Sequence, residues 1–134
     1  METEACRVWA VEATDTPCNV YDPGCPGRVV LDRIGDRWTV LIVGVLVTGT
    51  KRFSELRDAV GGITPKVLTQ TLRAMERDGL VTRTVYAVVP PKVEYALTDF
   101  GRSLIPAINE IRIWAETNTG ELFDNRARYD TAHS

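Results

Sequence analysis

In the stretch GGITPKVLTQTLRAMERDGLVTR, residues 61–83, apolar and polar positions separate almost completely at helical spacing. On a 3.6-residue repeat Val67, Leu68, Thr71, Leu72 and Met75 share one side, while Lys66, Thr69, Gln70, Arg73 and Arg77 share the other. Glu76 borders the polar side and Asp78 flanks the core side. Thr64 suits an N-cap, Pro65 fits the first helical position, where its missing N–H costs nothing, and Asp78-Gly79 provides a stop. The pattern predicts a helix of about four turns. Its apolar side belongs against a core. Its polar side carries cations and an amide with no carboxylate at the centre, groups suited to phosphates and base edges, though an ordinary solvated face has the same composition.

The remaining periodicities place this helix in a larger order. Residues 1–24 contain Pro17, Asn19, Pro23 and Gly24 and keep no sustained period, which reads as an arm, with CRVWAVEA (6–13) able to form a short turn or strand. A first helix is expected from Pro26 through GRVVLDRIG. The next run, DRWTVLIVGVLVTG (36–49), is apolar on every side and β-branched, and propensity alone favours a strand. RFSELRDAV (52–60) places Phe53, Leu56 and Val60 on one helical face. After the amphipathic helix, residues 81–88 and 92–97 alternate around Val89-Pro90-Pro91, the pattern of a β-hairpin with a stiff tip. A last long helix is expected from the Thr98 cap, burying a stripe of Phe100, Leu104, Ala107, Ile108, Ile111, Trp114 and Ala115 on its own domain, with Ile105 and Ile113 pointing elsewhere. Pro106 should kink or interrupt it. Short helix, turn, basic amphipathic helix and hairpin, in that order, predict a winged helix-turn-helix: a mainly α fold with a small β-hairpin wing.

Composition alters this picture in one respect. The chain has 134 residues, enough for one core, and its 44% hydrophobic and 25% charged content is that of an ordinary globular protein. The net charge of −2 argues against a polyanionic partner until its distribution is considered. Residues 51–92 hold eight basic and four acidic side chains, and the segment on either side carries a charge of −3. Positive potential is thus concentrated on the second helix of the pair and on the hairpin, through Arg83 and Lys92. The longest apolar run, VLIVGVLV (40–47), falls far short of about 20 residues needed to span a bilayer, so no membrane partner is expected. METEACRVW lacks the features of a signal peptide, and a cytoplasmic location is expected. Cys6, Cys18, Cys25 and the distant His133 match no zinc motif, so neither metal nor cofactor is expected. No Ser-His-Asp set or phosphate-cradling loop is present, and the chain is not expected to be an enzyme.

The runs CPGRVVLDRIGDRWTVLIVGVL, RFSEL, ITPKVLTQTLRAMERDGLVTRTVY and VPPKVEYALTDFGRSL, followed by a tryptophan, resemble the HxlR-type branch of the MarR-like winged-helix regulators of bacteria over residues 25–117. The resemblance implies that DRWTVLIVGVL is a helix, against the propensity argument. It implies a homodimer, joined through the N-terminal and long C-terminal helices, on a two-fold-related double-stranded DNA operator. Carried over by position, the helix starting at Thr64 is the recognition helix, with Lys66, Thr69, Gln70 and Arg73 facing the major groove. Arg52 and Ser54 approach the DNA backbone, and Lys92 with Arg83 forms the contact of the wing with backbone or minor groove. Structural ion pairs could instead occupy Arg73 or Arg83. Residues 25–118 then form the DNA-binding and dimerisation domain, and 119–134 a tail that adds a short helix with Leu122 and Phe123.

Many members of this family carry a cysteine just before the proline that opens the first helix, and in several it senses oxidants or electrophiles. Cys25 stands at that place. With Pro26 as the first helical residue, Cys25 is the N-cap, where unpaired N–H groups and Arg28 favour a thiolate, while Asp22 opposes it. Cys18, or the partner subunit's Cys25, would resolve its oxidised form. The sequence therefore leaves open a thiol-switched regulator, a regulator answering to a small-molecule effector without redox chemistry, and a winged helix used for protein–protein interaction.

Overall fold

The structure, a computed structural model, describes residues 19–134. The turn or strand expected in 6–13 lies outside the described residues, as do Cys6 and Cys18. The described residues fall into two compact units, divided between Arg37 and Trp38.

In the first unit a turn held by its own side chains leads into helix α1 (Gly27–Ile34). Asn19 Oδ1 accepts the Tyr21 N–H and Asp22 Oδ1 accepts the Gly24 N–H, each at 3.0 Å. Arg28 donates from α1 to the carbonyls of Val20 and Tyr21, both at 3.0 Å, clasping the turn to the helix. Val29, Val30 and Leu31 are exposed.

The second unit is built on α2 (Arg37–Leu46), α3 (Phe53–Ala59) and α4 (Pro65–Arg77). The run for which propensity favoured a strand is helical, as the family resemblance implied. Its burial shows why: Thr39, Ile42, Val43 and Leu46 are buried at helical spacing, while Leu41 and Gly44 are exposed. Hydropathy hid a period that packing reveals, and tertiary contact overrides the β-branched preference. Glu55 caps α3 by accepting the Arg52 N–H at 2.9 Å, and the turn to α4 uses Gly62 at φ +84°. Helix α4 begins as expected, with Thr64 Oγ1 accepting the Val67 N–H at 3.2 Å. It ends in a Schellman turn, with Gly79 at φ +79°, the Leu80 N–H on Met75 O at 2.9 Å and the Gly79 N–H on Glu76 O at 3.0 Å. Met75 and Leu80, brought together by that turn, are both core residues.

The wing is a three-stranded antiparallel sheet, in place of the two-stranded hairpin expected. Strand β1 (Lys51–Arg52) pairs with β3 (Lys92–Leu97), which pairs in turn with β2 (Val81–Tyr86). A two-residue strand has too few positions to reveal alternation. Register sets Lys51, Tyr95 and Arg83 in one row and Arg52, Glu94 and Thr84 in the next, on the opposite face. Val81 and Leu97 at the base are buried, and residues 82–91 are all exposed.

Thr98 caps a four-residue helix, α5 (Asp99–Arg102), rather than the long one. Its N–H donates to Leu80 O at 3.0 Å and its hydroxyl to Gly79 O at 2.6 Å, so α5 is pressed onto the end of α4. The contact is close enough that a Cβ on Gly101 would stand 2.1 Å from the Leu80 carbonyl oxygen. The chain then restarts as α6 (Ile105–Ala132), 28 residues long. Pro106 lies in the first turn of α6, where no N–H is needed, so it marks a boundary and kinks nothing. The helix runs unbroken through residues 119–132, where a separate short helix was expected.

The expected stripe of α6 is not buried on its own domain. Ile108 is buried and Leu104 and Ile105 are partly buried against the core, but Phe100, Ile111 and Trp114 are exposed. Ile105, expected to point away, is a core contact. Beyond Ile108 every residue but the half-buried Asn118 is exposed, because the helix rises about 1.5 Å per residue and soon outruns a core of this size.

Candidate nucleic-acid interface

The two sides of α4 separate as the spacing predicts. Leu68, Thr71, Leu72 and Met75 are buried, and the Thr71 hydroxyl is satisfied by donating to Val67 O at 2.8 Å. Lys66, Gln70, Arg73 and Arg77 are exposed, and Thr69 is half-buried. None of Lys66, Arg73 and Arg77 forms an ion pair among the described residues. Thr64 stands at the head of this face, its hydroxyl oxygen engaged in capping. The Lys66, Thr69, Gln70 and Arg73 side chains thus form one open, cationic and amide-bearing surface, about 11 Å from end to end along a helix rising 1.5 Å per residue.

Arg52 and Ser54 are exposed at the start of α3, and β1 places Arg52 beside Glu94 on the sheet. Arg83 is on the other face, with its Nε 4.0 Å from Glu76 Oε1 on α4, the outer limit of an ion pair. Across from it is Tyr95. Burial raises the Tyr95 phenol above its ordinary value, against the opposing charge of Arg83.

Lys92 differs most from its expected role. It is the first residue of β3 rather than part of a free tip, its Nζ lies 2.8 Å from Glu94 Oε1, and it sits 5.1 Å from the centre of the Tyr86 ring. The hydrogen bond from Lys92 holds Glu94 below the usual carboxylate range, with further help from the Tyr86 hydroxyl and the Arg52 charge. Glu94 was not among the residues singled out from sequence. The signal was present, since Lys92 and Glu94 are two apart on a strand and must share a face.

Cys25 is not the N-cap. Pro26 occupies that position and α1 begins at Gly27. Its sulfur still faces the helix start, with the Gly27 N–H directed at Sγ at 3.3 Å and the Arg28 N–H on its carbonyl at 3.2 Å. Cys25 is buried, and it is disulfide-bonded. Among the described residues no group of His, Cys, Asp and Glu is placed to hold a metal ion, and no helix is long and apolar enough to cross a membrane.

Comparison with known proteins bears on this architecture directly. Residues 33–122 match the model of the HxlR-like helix-turn-helix family. The HTH-type transcriptional regulator YtfH of Escherichia coli is 43% identical over 112 residues, spanning 81% of this chain and 89% of that protein. Among solved structures, the transcriptional regulator ytfH from Salmonella typhimurium superposes with a TM-score of 0.75 at 41% identity, over 81% of this chain and 97% of that one. The redox regulator HypR in its reduced form gives a TM-score of 0.68 at 43% identity, over 75% and 99% of the two chains. A winged helix-turn-helix with an open basic second helix, matched over most of its length by regulators of the same architecture, belongs to the HxlR-like helix-turn-helix family of transcriptional regulators.

Proposed function

We propose that this protein acts in the cytoplasm as a homodimer that binds a two-fold-related double-stranded DNA operator, and that Cys25 adjusts that binding through its oxidation state. The observation that carries the proposal is the exposed face of α4, where Lys66, Thr69, Gln70 and Arg73 converge with no acidic partner. Arginine and lysine pair well with guanine and glutamine with adenine in the major groove, and the Thr64 cap fixes the approach of the helix. Arg52 and Ser54 lie at a helix start suited to a phosphate. Arg83 is only loosely held and joins the backbone contacts; Lys92 contributes less, since Glu94 already engages it.

Homodimerisation is supported by apolar surface left exposed among the described residues. Ile111, Trp114, Leu122 and Tyr129 are exposed along one side of α6 over about 27 Å, and Val29, Val30 and Leu31 are exposed on α1. A two-fold axis pairs like faces and sets two recognition helices one DNA turn apart.

The thiol reading rests on the Gly27 N–H directed at the Cys25 sulfur, on the engagement of that sulfur in a disulfide, and on the similarity to the redox regulator HypR. Formation of the disulfide transfers two electrons to an oxidant and releases two thiol protons. Cys18 is the intramolecular candidate for the second sulfur.

The test is fluorescence anisotropy on DNA selected from a random pool by the wild-type chain, with reduced protein, diamide-treated protein and Cys25→Ser, at two salt concentrations. Salt-sensitive binding that diamide changes tenfold or more, and only when Cys25 is present, is expected. Binding indifferent to diamide removes the switch and favours a small-molecule effector. Failure to select any DNA removes the whole proposal in favour of a protein partner.

A further inference from the structure

The tip of the wing carries no cation. Strand β2 leaves the core at Val81, and at about 3.3 Å per residue its six residues carry the tip roughly 17–20 Å outward. At the end of that reach Val88 is half-exposed and Val89 is 100% exposed. Pro90 and Pro91 have no N–H, and the Val88 N–H is spent on Tyr86 O at 2.9 Å. The nearest positive charge, Lys92, is engaged by Glu94 and the Tyr86 ring. Just inside the tip Val85 lies opposite Val93, on the face that carries Arg83. A segment meant to grip phosphates would present donors and cations at its most exposed point, and this one presents valine and proline.

The wing is also tied to α4. Val81 and Leu97 at the base of the wing are buried in the same core cluster as Leu68, Leu72 and Met75 of α4. The tip therefore travels with the cationic helix. With α4 in a major groove, the neighbouring minor groove lies about half a helical turn away, roughly 17 Å, which is comparable to the reach of the hairpin. That groove has an apolar sugar-lined wall, and minor-groove binders commonly press apolar side chains between base steps there.

We infer that Val89, backed by Val88 and the Pro90-Pro91 pair, is a wedge that enters the operator minor groove beside the recognition helix and presses on a base step. The tip then selects sequence through the deformability of that step, which costs least at TA and CA steps and most in stiff A-tracts, and itself adds no phosphate contact. The inference rests on the proposal of DNA binding made above.

The experiment uses the full reduced chain and an operator selected by the wild type, varied only at the minor-groove steps flanking the α4 site so that TA, CA and AA occupy them in turn. Wild type and Val89→Ser are compared by anisotropy across a salt series. Val89 is 100% exposed, and an unchanged thermal midpoint verifies that the variant is folded. Wild type is expected to prefer the flexible steps by roughly tenfold, Val89→Ser to lose that preference to within about twofold, and the slope of log K against log salt to stay the same. Retention of the wild-type step preference by Val89→Ser overturns the wedge, as does a uniform loss on all steps with a shallower slope, which is the mark of a phosphate contact. A change in sedimentation of Val89→Ser without a change in step preference also overturns it, and makes the tip a surface for self-association. A wild type that binds no DNA refutes the DNA reading itself, whereas wild-type binding with an indifferent Val89 refutes the wedge alone.

Discussion

At the residue scale two positions carry more than their size suggests. Gly101 is small because the Leu80 carbonyl occupies the space a side chain would take. Gly101→Ala must therefore push α5 off the end of α4, opening the bonds from Thr98 to Gly79 and Leu80. A loss of about 2 kcal/mol or more is expected in urea unfolding, in the range of overpacking changes. Glu94 acts by engagement rather than by bulk, holding Lys92 and standing across from Arg52. Glu94→Gln keeps the shape and removes the charge. It should release Lys92 to the DNA, raising affinity and steepening the salt slope by up to about one, while Lys66→Ala or Arg73→Ala should lower the slope by about one. The sign of the pH dependence follows from the direction of the Glu94 shift. A carboxylate held below its ordinary value stabilises the folded wing above its unfolded pKa of about 4.3, and that contribution is lost as pH falls through the lower folded value. A carboxyl-carbon NMR titration should place the Glu94 midpoint below that of an ordinary glutamate, leaving the wing lock fully formed at neutral pH.

At the scale of elements, α4 was the most legible part of the chain. Its cap, its proline, its two faces and its stop are each set by neighbours in sequence, and each appears where the spacing placed it. Thr64→Ala removes the acceptor for the Val67 N–H and should cost about 1 kcal/mol in thermal or urea unfolding. Operator affinity should fall with it, because the same cap sets the angle of the recognition face. Helix α2 was less legible. Its residues are apolar on all sides, so hydropathy cannot distinguish the buried Ile42 and Val43 from the exposed Leu41. Strand β1 was invisible, since two residues hold no period and their pairing partner, β3, is some 40 positions away.

At the scale of the whole molecule the unfinished surface is α6. Its N-terminal turn supplies Ile108 to the core, and its remaining length carries exposed Trp114, Leu122 and Tyr129. Burial of a leucine from water is worth about 1.5–3 kcal/mol, and a two-fold interface counts the change twice. Leu122→Asp is expected to weaken self-association tenfold or more in analytical ultracentrifugation and to make the thermal midpoint fall on dilution. Ala127→Asp, at an exposed position on the opposite side of the helix, should leave association unchanged. Since two recognition helices bind one operator more tightly than one does, Leu122→Asp should also lose operator affinity with α4 intact.

The sequence by itself determined the local features: the cap and two faces of α4, the turn at Gly79, the pairing of β2 and β3 as a hairpin, and the concentration of positive charge between Lys51 and Lys92. These follow from spacing, backbone preference and counting, and need no distant contact. Only the tertiary structure decided which apolar side of α2 is buried, that Lys51–Arg52 completes the sheet, that Lys92 is held by Glu94, and that the stripe on α6 reaches past the core it was expected to cover. Each depends on which residues meet across long stretches of chain, and a hydrophobic or charged residue carries the same local signature whether its partner lies in its own fold or beyond it.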